Sequence, residues 1–161
     1  MITDRRLLIT FLLVALLPVY TTGCVSSKTP EIYSASPEQL LGPFREGKAQ
    51  LKKLGMTSGY SVASAELLGR QDTKALYDTG RWEQLAIRVM KINSGSDLAW
   101  FYLGRAAEEL VLPDAAAIYF QKSIEEASPK GVSGCLGDAC MGFEFPEESQ
   151  RRLAALRNRS P

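Results

Sequence analysis

Residues 98–129 read LAWFYLGRAAEELVLPDAAAIYFQKSIEEASP, and the order of large and small side chains in this stretch decides the fold. Trp100, Leu103, Ala107 and Leu110 recur at spacings of three and four, which sets them on one face of a helix. Ser96 and Asp97 supply a capping signal just ahead of that face. Gly104 lies inside the helix, where glycine costs about 1 kcal/mol against alanine, so a packing reason is needed. The reason expected is a second helix crossing closely. That helix starts near Pro113, a favourable first-turn residue, and turns Ala116, Ala117, Phe120, Ser123, Ile124 and Ala127 inward. Small residues opposite the glycine let the backbones approach, with Trp100 and Phe120 filling the remaining space.

The stretch resembles a tetratricopeptide repeat (TPR), whose pattern is W-x2-L-G-x2-Y, then A-x3-F, then P. Trp100, Leu103, Gly104, Ala116 and Phe120 fall in register; Ala107 stands where the tyrosine belongs, and Pro129 arrives one residue late. The resemblance implies repeat packing by those five residues over a repeat spanning 97–129. It also implies a concave groove onto which Leu98, Phe101, Arg105, Glu108 and Glu109 face as partner-binding positions. Phe101 is either a peptide anchor or a side chain covered by a neighbouring helix, and Arg105 beside acids suits charge-assisted hydrogen bonds to a peptide.

Upstream, Gly80-Arg81-Trp82-Glu83 leads into Leu85, Val89 and Ile92, like the second half of a degenerate repeat, with Trp82 packing over the preceding turn and Asn93-Ser94-Gly95 ending the helix. Ser61–Leu68 reads as helix, Gly69 and Asp72 as a break, and Lys74–Tyr77 as another turn or two. Nearer the start, Ser36-Pro37-Glu38-Gln39 is a capping box with proline in the first turn. Gly42-Pro43 is expected to interrupt that helix, and Phe44, Leu51 and Leu54 to share a second piece closed by Gly55. Beyond Pro129 the glycines at 131, 134, 137 and 142 argue against a regular helix. A last helix over Pro146–Arg157 has acids in its first turn, arginines toward its end, and a Leu153/Leu156 stripe suited to capping an exposed repeat. A repeat cannot bury its face alone, so the terminal helices must cap the stack or the chain must form a homo-oligomer.

The first residues form a targeting segment. A short basic region, MITDRR, precedes the apolar run Leu7–Tyr20, the length of a signal-peptide core and too short for an ordinary membrane span. Thr21-Thr22-Gly23-Cys24 resembles the lipobox of bacterial lipoproteins, with Thr21 where leucine is usual. The resemblance implies a signal peptide over 1–23, lipidation of Cys24, and a tether over 24–36 that is rich in Ser, Thr and Pro. Val25, not aspartate, follows the cysteine, which implies the periplasmic side of the outer membrane in a Gram-negative host. The folded domain is then 37–161: all-α, with TPR-like antiparallel hairpins, a disulfide-closed loop and a C-terminal capping helix.

The chain has 161 residues and a net charge of +1, and contains no histidine. Without histidine a Ser-His-Asp triad is out, and the commonest metal ligand is missing. Losing the leader removes Arg5, Arg6 and Asp4 and leaves the charges balanced, so there is no electrostatic case for nucleic acid or for an anionic membrane surface. The acidic pairs Glu108-Glu109, Glu125-Glu126 and Glu147-Glu148 read as solvated helix faces, because neighbouring residues point about 100° apart. With Cys24 lipidated, Cys135 and Cys140 remain, four residues apart in an exported chain. Such a pair is expected to close as a disulfide that shapes the glycine-rich loop. A redox-active pair is the alternative, and a metal site is not expected. The overall expectation is a non-enzymatic, cofactor-free, lipid-anchored adaptor for an envelope protein or peptide. Its alternative is a periplasmic thiol/disulfide redox protein using Cys135 and Cys140.

Overall fold

The structure, a computed structural model, describes residues 35–52, 71–127 and 140–159. Among these residues the regular structure is helical: α1 (Pro37–Arg45), α2 (71–78), α3 (Trp82–Ile92), α4 (Asp97–Glu109), α5 (Pro113–Glu126) and α6 (Glu147–Arg159). One isolated parallel bridge, Lys52 to Ser94, is the exception. The all-α class is as expected. Tether residues 24–34, Leu54, Gly55, Ser61–Leu68 and Cys135 lie outside the described residues.

The helix α4 is the centre. Ser96 caps it, its hydroxyl accepting from the Ala99 amide at 3.2 Å. From Asp97 to Ala107 every residue but Ala99 is buried, so a helix that reads as amphipathic is covered all round. The start of α4 meets the end of α5, where Ser123 donates to the Asp97 carbonyl at 2.8 Å; further along, Trp100 stacks on Tyr119 at 6.0 Å and Phe120 lies against Gly104, and a tight turn joins the end of α4 to the start of α5. The pair is therefore antiparallel. A Cβ built on Gly104 would sit 2.6 Å from the Phe120 ring, which is the packing reason the glycine required. The filler opposite Gly104 is thus the Phe120 ring, as expected.

α5 buries Ala115 and Tyr119 as well as Ala116, Phe120 and Ser123, a wider face than expected, because α1 covers its other side. The Phe44 ring stacks on Tyr119 at 5.7 Å; the Tyr119 hydroxyl donates to the Phe44 carbonyl at 2.8 Å and accepts from the Ala49 amide at 3.2 Å. This anchoring explains one departure from expectation. α1 runs straight through Gly42-Pro43, since Pro43 lies in its last turn and removes a single backbone donor while Phe44 is held beneath. The chain then leaves the helix. Lys52 lies along the α3–α4 connection, its amide donating to the Asn93 carbonyl at 3.3 Å and its carbonyl accepting from Gly95 at 2.8 Å, so Leu51 does not continue the helix of Phe44. Asp72 lies within α2 rather than breaking it, and its carboxylate pairs with Arg88 of α3 at 3.1 Å.

α6 closes the bundle. It starts beside the end of α5, where the buried hydroxyls of Ser123 and Ser149 meet at 2.7 Å, and it finishes beside the end of α4, where Arg159 reaches Glu108 at 3.5 Å. Leu153 and Leu156 are buried, as the stripe requires.

Three helices end in the same way. α1 closes with Gly47 donating to Phe44 at 3.0 Å and Lys48 to Pro43 at 2.8 Å. α2 closes with Gly80 donating to Tyr77 at 3.1 Å and Arg81 to Leu76 at 2.9 Å. α4 closes with Val111 donating to Glu108 at 3.1 Å and Leu112 to Ala107 at 2.9 Å. Each is a Schellman cap whose pivot is left-handed, with φ of 71°, 70° and 59°. Two pivots are glycine; the third is a β-branched residue, for which this conformation costs about 1–2 kcal/mol. Val111 is 83% exposed and recovers little of that by burial.

Candidate functional site

The positions expected to line a groove are placed otherwise. Leu98 is 2% exposed, Phe101 0% and Arg105 7%, and the Glu108 side chain is 6% exposed; of the five, Glu109 alone keeps substantial access, at 40% of its side chain. Leu98, Phe101, Arg105 and Glu108 are therefore not offered to a partner. The chain's own C-terminal part fills the face. Phe143 and Phe145 contact the Phe101 ring at 4.8 and 5.4 Å, and Phe143 also meets Tyr77 edge-on at 5.4 Å. Phe101 is core rather than a peptide anchor, covered by Tyr77 of α2 and also by the non-helical segment 143–145.

Beside this aromatic group the charges are paired internally. The Arg105 guanidinium lies 5.7 Å from the Trp82 ring and 5.9 Å from the Tyr77 ring. It donates to Glu108 and, at 2.7 Å, to Glu109. Burial opposes its charge, yet hydrogen bonding to Tyr77 and Glu108 outweighs that and raises its pKa above the usual value. Glu108 also has Arg159 at 3.5 Å and Arg152 at 3.8 Å, both from α6. It is the buried hub of an interhelical ion cluster, not part of a solvated face. Glu148, whose side chain is 15% exposed, likewise pairs with Arg151 and Arg152. Glu125 and Glu147 are exposed, as read.

The repeat-packing residues Trp100, Leu103, Gly104, Ala116 and Phe120 are buried together around the α4–α5 contact. Cys140 is buried and disulfide-bonded. Among the described residues no three His, Cys, Asp or Glu side chains gather as metal ligands, and no helix is long and apolar enough to cross a membrane. A cavity of about 30 Å³ between Thr73, Val89, Leu98 and Tyr102 has room for water rather than a substrate.

The periodicity of α4 did not disclose the Arg105–Glu108 cluster, because its partners come from α2, α3 and α6. A signal for the Phe101 cover was present: Phe143-Glu144-Phe145 alternates aromatic and polar residues directly after the glycine-rich stretch. Comparison of the chain with family models, curated proteins and solved structures finds no match.

Proposed function

We propose that the protein is a lipid-anchored helical adaptor of the bacterial envelope. In this reading it is held by Cys24 on the periplasmic side of the outer membrane and takes part in assembly of an outer-membrane, pilus, secretion or wall-synthesis machine. The observation that carries the reading is the apolar run Leu7–Tyr20 followed by Thr-Thr-Gly-Cys, ahead of a helical domain with the TPR-like stretch at its centre. The antiparallel α4–α5 pair and the close Phe120–Gly104 contact support the repeat resemblance. Partner contact then falls outside the filled face, on outward surfaces of the bundle.

The test has two arms. Metabolic labelling with a fatty acid should mark the wild type, while Cys24→Ser should be exported but unlabelled and released from membranes. Equal labelling of the serine variant would sink the anchor. Envelope cross-linking from the anchored protein should then retrieve one assembly consistently, and retrieval of none would remove the adaptor role. For the thiol pair the reading is a structural disulfide between Cys140 and Cys135, supported by the burial of a sulphur that is already bonded. Free thiols at both positions in freshly isolated protein would favour the redox alternative.

A further inference from the structure

We propose that the end of the bundle carrying Val111 rests on the bilayer, so that the lipid-anchored domain stands on its membrane in one orientation. The proposal builds on the Cys24 anchor. Four elements converge at this end. The α1 terminus is tied there by Arg45 to Glu83 at 3.2 Å, and the α6 terminus by Arg159 to Glu108 at 3.5 Å. The α2–α3 turn meets the α4–α5 turn where Gly80, Arg81, Trp82 and Leu110 line one shallow depression. Val111 projects from the α4–α5 turn beside it, flanked by the half-buried Leu110 and Leu112.

The two sister caps show what the fold alone requires at this pivot: a glycine. Valine there is strained and unburied, and backbone strain of that kind is kept where the side chain has a use outside the fold. The neighbouring side chains suit a membrane interface. Trp82 is a half-buried indole, Val111 and its flanking leucines reach the acyl boundary, and Arg81 can extend a long stem toward headgroups. Arg45 and Arg159 are already held by acids, and Glu109 and Asp114 lie at the same end, so the attraction is apolar rather than ionic. The tether reaches. Residues 25–36 span at most about 40 Å extended, and the nine-residue α1 adds only about 13 Å. A second copy would need a larger apolar area than three aliphatic side chains and one indole provide.

The experiment uses the lipid-bearing protein in vesicles of phosphatidylcholine brominated along the acyl chains. Trp100 is buried against Tyr119, so quenching by lipid reports Trp82. Wild type should be quenched, with little change on adding salt. Val111→Gly and Val111→Asp should lose most of the quenching while still floating with the vesicles, and Trp82→Phe should remove the lipid-dependent component. Protein that floats but shows no quenching overturns the proposal, whether sedimentation then finds Val111-dependent pairs of chains or a monomer. Protein that carries no lipid and does not float removes the anchor, and this role with it.

Discussion

Gly104 and Tyr119 show how far single side chains decide this core. Replacing Gly104 with alanine gains helix propensity of about 1 kcal/mol, but the new methyl would sit 2.6 Å from a fully buried ring that has nowhere to retreat. Overpacking of about 1–3 kcal/mol should win, so Gly104→Ala is expected to lower the melting temperature and Gly104→Leu to lower it further. A stabilised alanine variant in thermal unfolding would mean that Phe120 does not lie there. Tyr119 sets an alkaline limit. Burial pushes its phenol up from 10.0 to about 12, partly opposed by the Ala49 amide. Because the folded form holds its proton more tightly, this contribution is intact below pH 10 and is lost as pH rises toward 12. It amounts to at most about 2–3 kcal/mol. Denaturant unfolding across that window should show a steeper fall for wild type than for Tyr119→Phe; equal slopes would count against the buried hydroxyl.

At the scale of elements, the α4–α5 pair was legible because its information is local. A cap, a first-turn proline and a three-four spacing all lie within one stretch. Its ends were placed correctly at Ser96 and Pro113. The alternation at 143–145 marked an aromatic segment but not what it covers, because Phe143 and Phe145 lie some forty residues beyond Phe101 and periodicity says nothing about what a face meets. A helix with one strong apolar stripe and a second face of Phe101 and Arg105 reads the same whether that second face meets a partner or the chain itself. Alanine at both Phe143 and Phe145 separates the cases. It should destabilise by about 3–5 kcal/mol, the range for losing a buried aromatic, reduced for each ring by its partial exposure. A change below about 1 kcal/mol in chemical denaturation would mean that the segment is a loosely held cover over a usable groove.

Across the whole molecule, burial is shared among segments distant in sequence. α4 supplies the middle, but Phe101 is sealed by 143–145, Glu108 is neutralised by Arg152 and Arg159, and the Ser123 hydroxyl is matched by Ser149. Among the described residues, α1 and the C-terminal part thus cover the faces that the α4–α5 pair cannot bury by itself. That sharing is why acidic pairs read as solvated faces were misjudged at Glu108. Spacing along one helix reveals neighbours on that helix, whereas the three arginines around this carboxylate come from two helices, α4 and α6.

The closing of α6 has a bearing on time. Synthesis proceeds from the N-terminus, and until residues 143–156 exist the central helix has an aromatic face and a buried-to-be carboxylate open to water. A nascent chain therefore has no complete core to settle into until nearly all of it has left the ribosome. Closure of the core is thereby deferred to the end of synthesis, and the helix that locks it is the last to arrive.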